Sequence, residues 1–443
     1  MSVNRLRRWS TRVLVACACG ILALLAACSG PAAGAATTLN VWVNSGSEAE
    51  QATILAQVRE YNAASHGRTT VRLRVVAEGD YSDVLQAAAA AGTLPDAFQV
   101  DGPMLANLAY QGVLADLSTL LPASTIAALL PSLIAQGTVG RAFVGAGVFD
   151  SGLGIFGNRR LLDAAGVTYP TGVDDSWSAD QFSRALAALA SRDPDGLVLD
   201  LKRNYGTGEW LTFGFAPLLW SAGGDLVNRT TGAASGVLDG PESVRAMVQL
   251  GAWSKVVDPN ADDQAFVTGR VALSWVGHWA YPDYAAALGP DLVVLPLPDL
   301  GLGTKTGAGS WTWAVGASSA SPSAAGSFVD YLLSAAQVER MTAANGAVPG
   351  RTDVLAASQL YGHGGALERL GRQLGRTCGA GAVTQTCIAV NRPVMPGYPT
   401  ITADTAGAIA AILDGADAQH ALTEAAHGID ADLVANEGYR TDE

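Results

Sequence analysis

The 443-residue sequence predicts an α/β protein of doubly wound lobes, with ligands expected at the carboxyl ends of strands. Three observations predict it. Strand and helix patterns alternate along the chain, capping signals recur at the starts of amphipathic segments, and the length left after an N-terminal leader suits two domains. Thr38 to Val43 alternates as a strand. Ser47-Glu-Ala-Glu50 then reads as a capping box, opening a helix whose Ile54, Leu55, Val58 and Tyr61 share a face. A strand at 71–76, a helix at 82–91 and a strand at 96–100 complete a βαβαβ series. Further on, Trp177 before Ser178-Ala-Asp-Gln181 and Phe182 combines a capping box with a hydrophobic staple, and Pro241 and Pro322 each occupy a first helical position.

The leader sets the compartment. Arg5, Arg7, Arg8 and Arg12 precede an uncharged apolar run from Val13 to Ala27, which suits a signal-peptide core and is too short to span a bilayer as a mature helix. Leu25-Ala-Ala-Cys28 resembles the bacterial lipobox, which predicts cleavage after residue 27, lipidation of Cys28 and anchoring outside the cytoplasm. Residues 28–37 then read as a small, polar tether.

Charge excludes some partners. The chain has 27 Lys and Arg against 40 Asp and Glu; without the four leader arginines the basic count is 23, a net of −17. So acidic a chain lacks the basic face that nucleic acid requires, and it is repelled from anionic headgroups. No later apolar run is long enough for a membrane helix, so the membrane is expected to be met through the lipid alone. Of the five cysteines, only Cys378 and Cys387 remain after the leader and the lipidated residue, in a Gly-rich stretch where an extracytoplasmic disulfide is expected.

Motifs for chemistry fail on context. Gly152-Leu-Gly154-Ile-Phe-Gly157 matches a dinucleotide fingerprint, yet it lies within a strand pattern instead of a strand-to-helix turn. Asp258-Pro-Asn260-Ala-Asp262 starts like a calcium loop, but Asp263 replaces the glycine and Gly269 the bidentate glutamate, so a solvated turn between helices is expected. The five histidines show no ligand spacing, and neither cofactor nor metal is expected. Asp174-Asp175 are adjacent loop acids, unlike the cross-cleft pair of a glycosidase. Aromatic placement is more informative. Nine tryptophans follow the leader, several beside polar or glycine-rich turns, including Gly208-Glu209-Trp210, Trp275-Val-Gly-His278-Trp279 and Gly309-Ser310-Trp311-Thr-Trp313. Flat apolar faces beside hydrogen-bonding groups match the C–H faces and hydroxyl rim of a sugar.

Six stretches in shared order carry a family resemblance: Leu39-Asn-Val-Trp42, Leu94-Pro-Asp-Ala-Phe98 with Asp101, Gly154-Ile-Phe-Gly-Asn158 followed by Leu161-Leu-Asp-Ala-Ala-Gly166, Trp220-Ser-Ala-Gly-Gly224, Ala265-Phe-Val-Thr-Gly-Arg270, and Val348-Pro-Gly-Arg351. Over nearly the whole mature chain the sequence resembles the carbohydrate-binding branch of ABC-importer extracellular solute-binding proteins, the group containing maltose-binding protein. The resemblance implies a Venus-flytrap fold of the periplasmic-binding-protein type: lobe 1 from residues 38–149 and 302–347, lobe 2 from 150–301 and 348–443, with crossings near 149–153, 299–303 and 347–351. It implies a monomer that captures a sugar-like solute between the lobes, performs no catalysis, and delivers the solute to importer permease subunits. Carried over by position, the ligand residues are Ser45, Glu48, Tyr81, Asp101, Asp150, Ser151, Trp210, Trp279, Trp311 and Arg351, with Arg351 equally suited to an ion pair between lobes. The extension through Cys378 and Cys387 departs from the family pattern and is expected to narrow the cleft. A glycerophosphodiester receptor of the same fold, an extracellular glycosidase, and a tethered receptor with no transport role are the alternatives.

Overall fold

The computed structural model describes residues 36–379 and 382–440. The leader, Cys28 and the tether through residue 35 lie outside the described residues. The first lobe is built on a five-stranded sheet in the order Thr69–Val76, Thr37–Asn44, Ala97–Asp101, Trp311–Val315, Ala146–Gly147. Its first three strands are parallel, and Trp311–Val315 runs antiparallel to its neighbours. The expected βαβαβ series is present. Leu39, Val41 and Val43 point inward from the first strand, as period-two alternation requires. The helix Glu48–Ala64 follows through a capping box, with Ser47 Oγ accepting from the Glu50 N–H and the Glu50 carboxylate accepting from the Ser47 N–H. The next helix starts at Glu78 and the third strand ends at Asp101, shifts of a few residues from the sequence reading.

The second lobe holds the sheet Val257–Asp258, Leu199–Asp200, Leu273–Gly277, Leu153–Asn158, Leu292–Leu295. Leu153–Asn158 is buried at every position and antiparallel to both neighbours. The fingerprint-like glycines 154 and 157 are therefore strand residues in a sheet interior, and the short helix Arg159–Ala164 that follows starts after an asparagine cap instead of a glycine-rich turn. Ser178 and Gln181 form the expected capping box, and Trp177 packs on Phe182 with ring centroids 5.5 Å apart. Pro241 and Pro322 open the helices Pro241–Trp253 and Pro322–Leu332. The helix Glu209–Ala222 is buried from Trp210 onward and covered by the helices Pro241–Trp253 and Tyr398–Leu413. A helix apolar all round can only be a core helix here, and it carries Glu209 at its exposed-side start.

The reading of residues 258–262 as a solvated helix-to-helix turn is corrected. Asp258 ends a strand and is buried, and Asn260 is 1% exposed with its side chain bonded to the Ala265 N–H. Arg270 reaches both Asp258 (2.8 Å) and Asp262 (2.7 Å), so the carboxylates there clamp a loop.

The chain passes between the sheets three times. The first passage follows Ala146–Gly147 through the short strand Phe149–Asp150 to Leu153. The last pairs Val348–Pro349 with that same short strand. The middle one falls later than 299–303. Leu300 and Leu302 still bond to Ser221 of the second lobe, and Thr306–Ala308 pairs in parallel with Ala389–Asn391, so the chain reaches the first sheet only at Trp311.

Cys378 and Cys387 form the expected disulfide, with Cα atoms 5.0 Å apart. The Lys305 ammonium, 1% exposed as a residue, donates to the Cys387 carbonyl (2.9 Å), and burial lowers its pKa to about 8. The bridge thus braces the base of the strand Ala389–Asn391. Replacing both cysteines by serine is expected to lower unfolding stability by about 2–3 kcal/mol in denaturant titrations, the loop-closure value for so short a loop.

Candidate functional site

The site grows from the end of the third strand. Asp101 closes Ala97–Asp101, and Trp311 stands directly opposite it across the antiparallel pair, which puts both side chains on one face of the sheet. Gly102 follows because a Cβ there would lie 1.9 Å from the Gln136 amide nitrogen. That amide clamps Ser310 through two bonds, Nε2 donating to its carbonyl (2.5 Å) and Oε1 accepting from its N–H (3.1 Å).

Asp101 meets the second lobe through one side chain. Arg392, 4% exposed, donates from Nη1 and Nη2 to the two Asp101 oxygens (2.6 and 3.0 Å) and from Nη1 also to Glu209. The remaining Glu209 bonds come from Tyr398 (2.5 Å) and Thr402 (2.7 Å). Burial pushes the Glu209 carboxyl up, while Arg392 pulls it back down. Burial alone would lower Arg392; the charges of Asp101 and Glu209 and the neighbouring Tyr398 outweigh it and hold the guanidinium firmly protonated. Two carboxylates share one cation, leaving one excess negative charge. Each Asp101 oxygen spends one lone pair on Arg392, so a second remains on each for an incoming hydroxyl.

An aromatic wall adjoins this triad. The Arg392 guanidinium lies 4.6 Å from the Phe213 ring centroid, Phe213 is 6.4 Å from Trp279, and Trp279 packs edge-on against Trp210 at 6.0 Å. Trp279 folds back over its own strand end because residue 277 is glycine: a Cβ there would lie 2.1 Å from the indole. Trp210 is 8% exposed and donates its N–H to the Leu201 carbonyl, so it backs the wall while half-buried Trp279 fronts it.

Of the residues singled out from the sequence, Asp101, Trp210, Trp279 and Trp311 converge here. Ser45 and Glu48 stand at the carboxyl end of the adjacent parallel strand, linked to it through Asn44, whose amide donates to Gln99 (2.9 Å). Asp150 and Ser151 occupy the first crossing as a knot. Asp150 accepts from Ser132 (2.9 Å), the Ser151 N–H (2.9 Å) and the Gly309 N–H (3.1 Å), and burial raises its pKa against those bonds. Ser151 Oγ contacts Ser310 Oγ (3.1 Å) and His278 Nε2 (3.0 Å), and His278 Nδ1 contacts the Asn345 carbonyl (3.0 Å). The carbonyl can only accept, so Nδ1 carries the proton and Nε2 accepts from Ser151.

Two of the residues face elsewhere. Tyr81 is 1% exposed, its hydroxyl donates to the Gln99 carbonyl (2.7 Å), and its ring buttresses Trp311 from behind at 5.5 Å. Arg351 pairs with Asp353 (2.7 Å) and donates to the Leu333 carbonyl (3.2 Å), contacts within the first lobe that leave it no role in an ion pair across the cleft. The disulfide loop acts on the site through the strand leading to Arg392. Arg392, Glu209, Phe213 and His278 escaped the sequence reading. A lone arginine in Asn391-Arg-Pro-Val-Met-Pro of an acidic chain is the signal that could have found the first of them. No group of three His, Cys, Asp or Glu side chains suited to a metal occurs among the described residues.

Two mixed α/β sheets joined by three strand passages define the periplasmic-binding-protein-like fold. Residues 56–363 match the bacterial extracellular solute-binding protein family, and the chain belongs to it. Among solved structures, the GacH receptor of Streptomyces glaucescens GLA.O, studied unliganded and with acarbose, is 23% identical with a TM-score of 0.72, covering 91% of this chain and 100% of that one. The cyclic α-maltosyl-1,6-maltose binding protein of Arthrobacter globiformis is 26% identical, with a TM-score of 0.67 over 90% and 99% of the two chains. An ABC transporter solute-binding protein of Thermotoga lettingae, bound with α-D-tagatose, is 22% identical, with a TM-score of 0.73 over 90% and 100%. No curated protein sequence matches the chain.

The hinge knot carries a pH dependence of definite sign. Burial lowers the His278 pKa from 6.5 to about 4. The unfolded chain takes up its proton first, so stability is complete above the ordinary value and falls as pH drops across that window, by about 3 kcal/mol at the limit. Urea unfolding at a series of pH values checks this: the fall is steeper in the native chain than in His278→Gln, and parallel pH profiles would remove His278 as the cause.

Proposed function

We propose that the chain is the lipid-anchored receptor of an ABC importer and captures a neutral carbohydrate between its lobes. The observation that carries this reading is the Asp101–Arg392–Glu209 triad beside the Phe213, Trp279 and Trp210 wall. Fixed carboxylate oxygens accept sugar hydroxyls in charge-assisted bonds, and indole faces cover the C–H faces of the ring. Family membership and the carbohydrate ligands of the similar solved proteins support it. On this reading the leader is cleaved, Cys28 bears the lipid, the two lobes hold the solute between them, and a monomer delivers it to permease subunits.

The charge of the triad favours a neutral solute over a glycerophosphodiester, because a phosphate would meet one excess negative charge and a guanidinium already committed to two carboxylates. Hydrolysis is disfavoured as well. A glycosidase needs one protonated acid and one carboxylate free to act as nucleophile or base, whereas Asp101 and Glu209 are tied to the same cation.

Calorimetric titration with mono- and oligosaccharides is expected to give saturable binding, weakened at least about tenfold by Asp101→Ala or Trp279→Ala, each removing at least one good contact. Binding of glycerophosphocholine in place of every saccharide, or appearance of hydrolysis products, would overturn the proposal.

A further inference from the structure

A second cavity, of about 460 Å³, lies in the second lobe between the strand Leu292–Leu295, the helix Tyr281–Leu288 and the helix Glu368–Leu374. None of Asp101, Glu209, Trp210, Trp279 or Arg392 lines it. Strand pairing places its far end: Asn158 pairs with Leu292, whereas Leu153 pairs with Gly277, the residue before His278 and Trp279. Asn158 stands about 16 Å along the strand from the sugar-facing end, at about 3.3 Å per residue, and Arg159 follows it.

Three arginines line this cavity, Arg159, Arg369 and Arg372, against one carboxylate, Glu368. The excess is two positive charges in a chain whose net charge is −13. Their own pairing is slight. The Arg159 side chain makes no hydrogen bond or ion pair among the described residues, although its neighbour Arg160 pairs with Asp291 (3.0 Å). Arg369 donates to the Pro170 carbonyl (3.2 Å) and has no carboxylate partner among the described residues. Arg372 approaches Glu368 only to 3.9 Å, while Glu368 also accepts from the Gly364 N–H (2.8 Å) and lies 3.5 Å from His363. The floor is apolar, from Val293, Val294 and Ala285, and Gly364 and Gly365 leave one wall without side chains.

Like charges gathered in a recess repel one another, and an acidic protein offers many carboxylates that could have quenched them. Arg159 and Arg372 reach solvent, which screens part of that repulsion, yet only Glu368 stands against the three cations around a volume suited to a small molecule. Guanidinium forks match the oxygens of phosphate, with several donors converging on one tetrahedral group. We propose that this cavity binds a phosphate ester, with the arginines on the phosphate and the Val294 floor against its organic part. The ester is either a free phosphorylated solute or the headgroup of an anionic phospholipid, which this local basic patch would hold against the repulsion of the acidic chain as a whole, and this second site acts independently of the sugar cleft.

The full chain is titrated with glycerol 3-phosphate by calorimetry, and floated with vesicles of phosphatidylglycerol or of phosphatidylcholine. Saturable binding is expected, lost about tenfold for Arg159→Gln and for Arg372→Gln and further for the pair, with the saccharide affinity and unfolding midpoint unchanged. Binding of the soluble ester identifies a free solute, and binding of phosphatidylglycerol vesicles alone identifies the headgroup; either supports the site. Absence of binding to both probes, or equal binding by the double variant, overturns it.

Discussion

One guanidinium joins the two lobes at the site. Arg392 is almost wholly buried, and burying an unpaired cation would cost several kcal/mol, so its position is tolerable only while Asp101 of the first lobe and Glu209 of the second both face it. Much of the neighbouring structure follows from that requirement. Tyr398 and Thr402 complete the Glu209 oxygens, Phe213 offers its ring face to the cation, and the core helix beginning at Glu209 fixes where the acid stands. The strand Ala389–Asn391 delivers the arginine, held between its ladder with Thr306–Ala308 and the disulfide just upstream. A loop that looks peripheral in the sequence is thereby coupled to the centre of the cleft.

The lobes also touch at the hinge, through a different kind of contact. Gln136, Ser310, Ser151, His278 and Asn345 form a run of uncharged hydrogen bonds linking the first sheet, the crossings and the second sheet. Asn345 continues the run to Glu50, whose carboxylate also caps the first helix. Movement of one lobe against the other must bend or exchange these bonds, and in the triad it breaks or forms only the Asp101–Arg392 pair, because Arg392 and Glu209 belong to the same lobe. A ligand able to offer hydroxyls to the second lone pairs of Asp101 adds contacts to the arrangement in which the lobes face each other, and shifts the population toward it.

Most of the fold was legible in the sequence because its signals are local. Ser47 with Glu50, Ser178 with Gln181, and the prolines 241 and 322 mark helix starts through bonds made within one turn, and the alternation of Leu39, Val41 and Val43 is the pleat itself. The aromatic cluster was legible in part, because Trp279 follows Gly277, which lets the ring fold onto its own strand end, and Trp311 follows the polar turn at Gly309-Ser310. What escaped depends on long-range pairing. Asp101 and Arg392 are 291 residues apart, and Glu209 and Tyr398 are 189 apart, so no spacing rule connects them. Tyr81 and Arg351 looked available because an aromatic hydroxyl and a guanidinium at strand ends suit a sugar, yet backbone carbonyls and Asp353 hold them. The middle crossing shifted toward Trp311 for the same reason: the Thr306–Ala308 ladder depends on a strand more than eighty residues later.

Hydrogen–deuterium exchange of the chain with and without a bound saccharide tests the cleft most directly, because it reports which backbone segments the ligand orders. Protection concentrated around Asp101, Glu209 to Phe213, Trp279 and Arg392, segments drawn from both lobes, is the predicted result. Protection confined to one lobe, or lying outside these four segments, would contradict a site built between the lobes on the Arg392 triad.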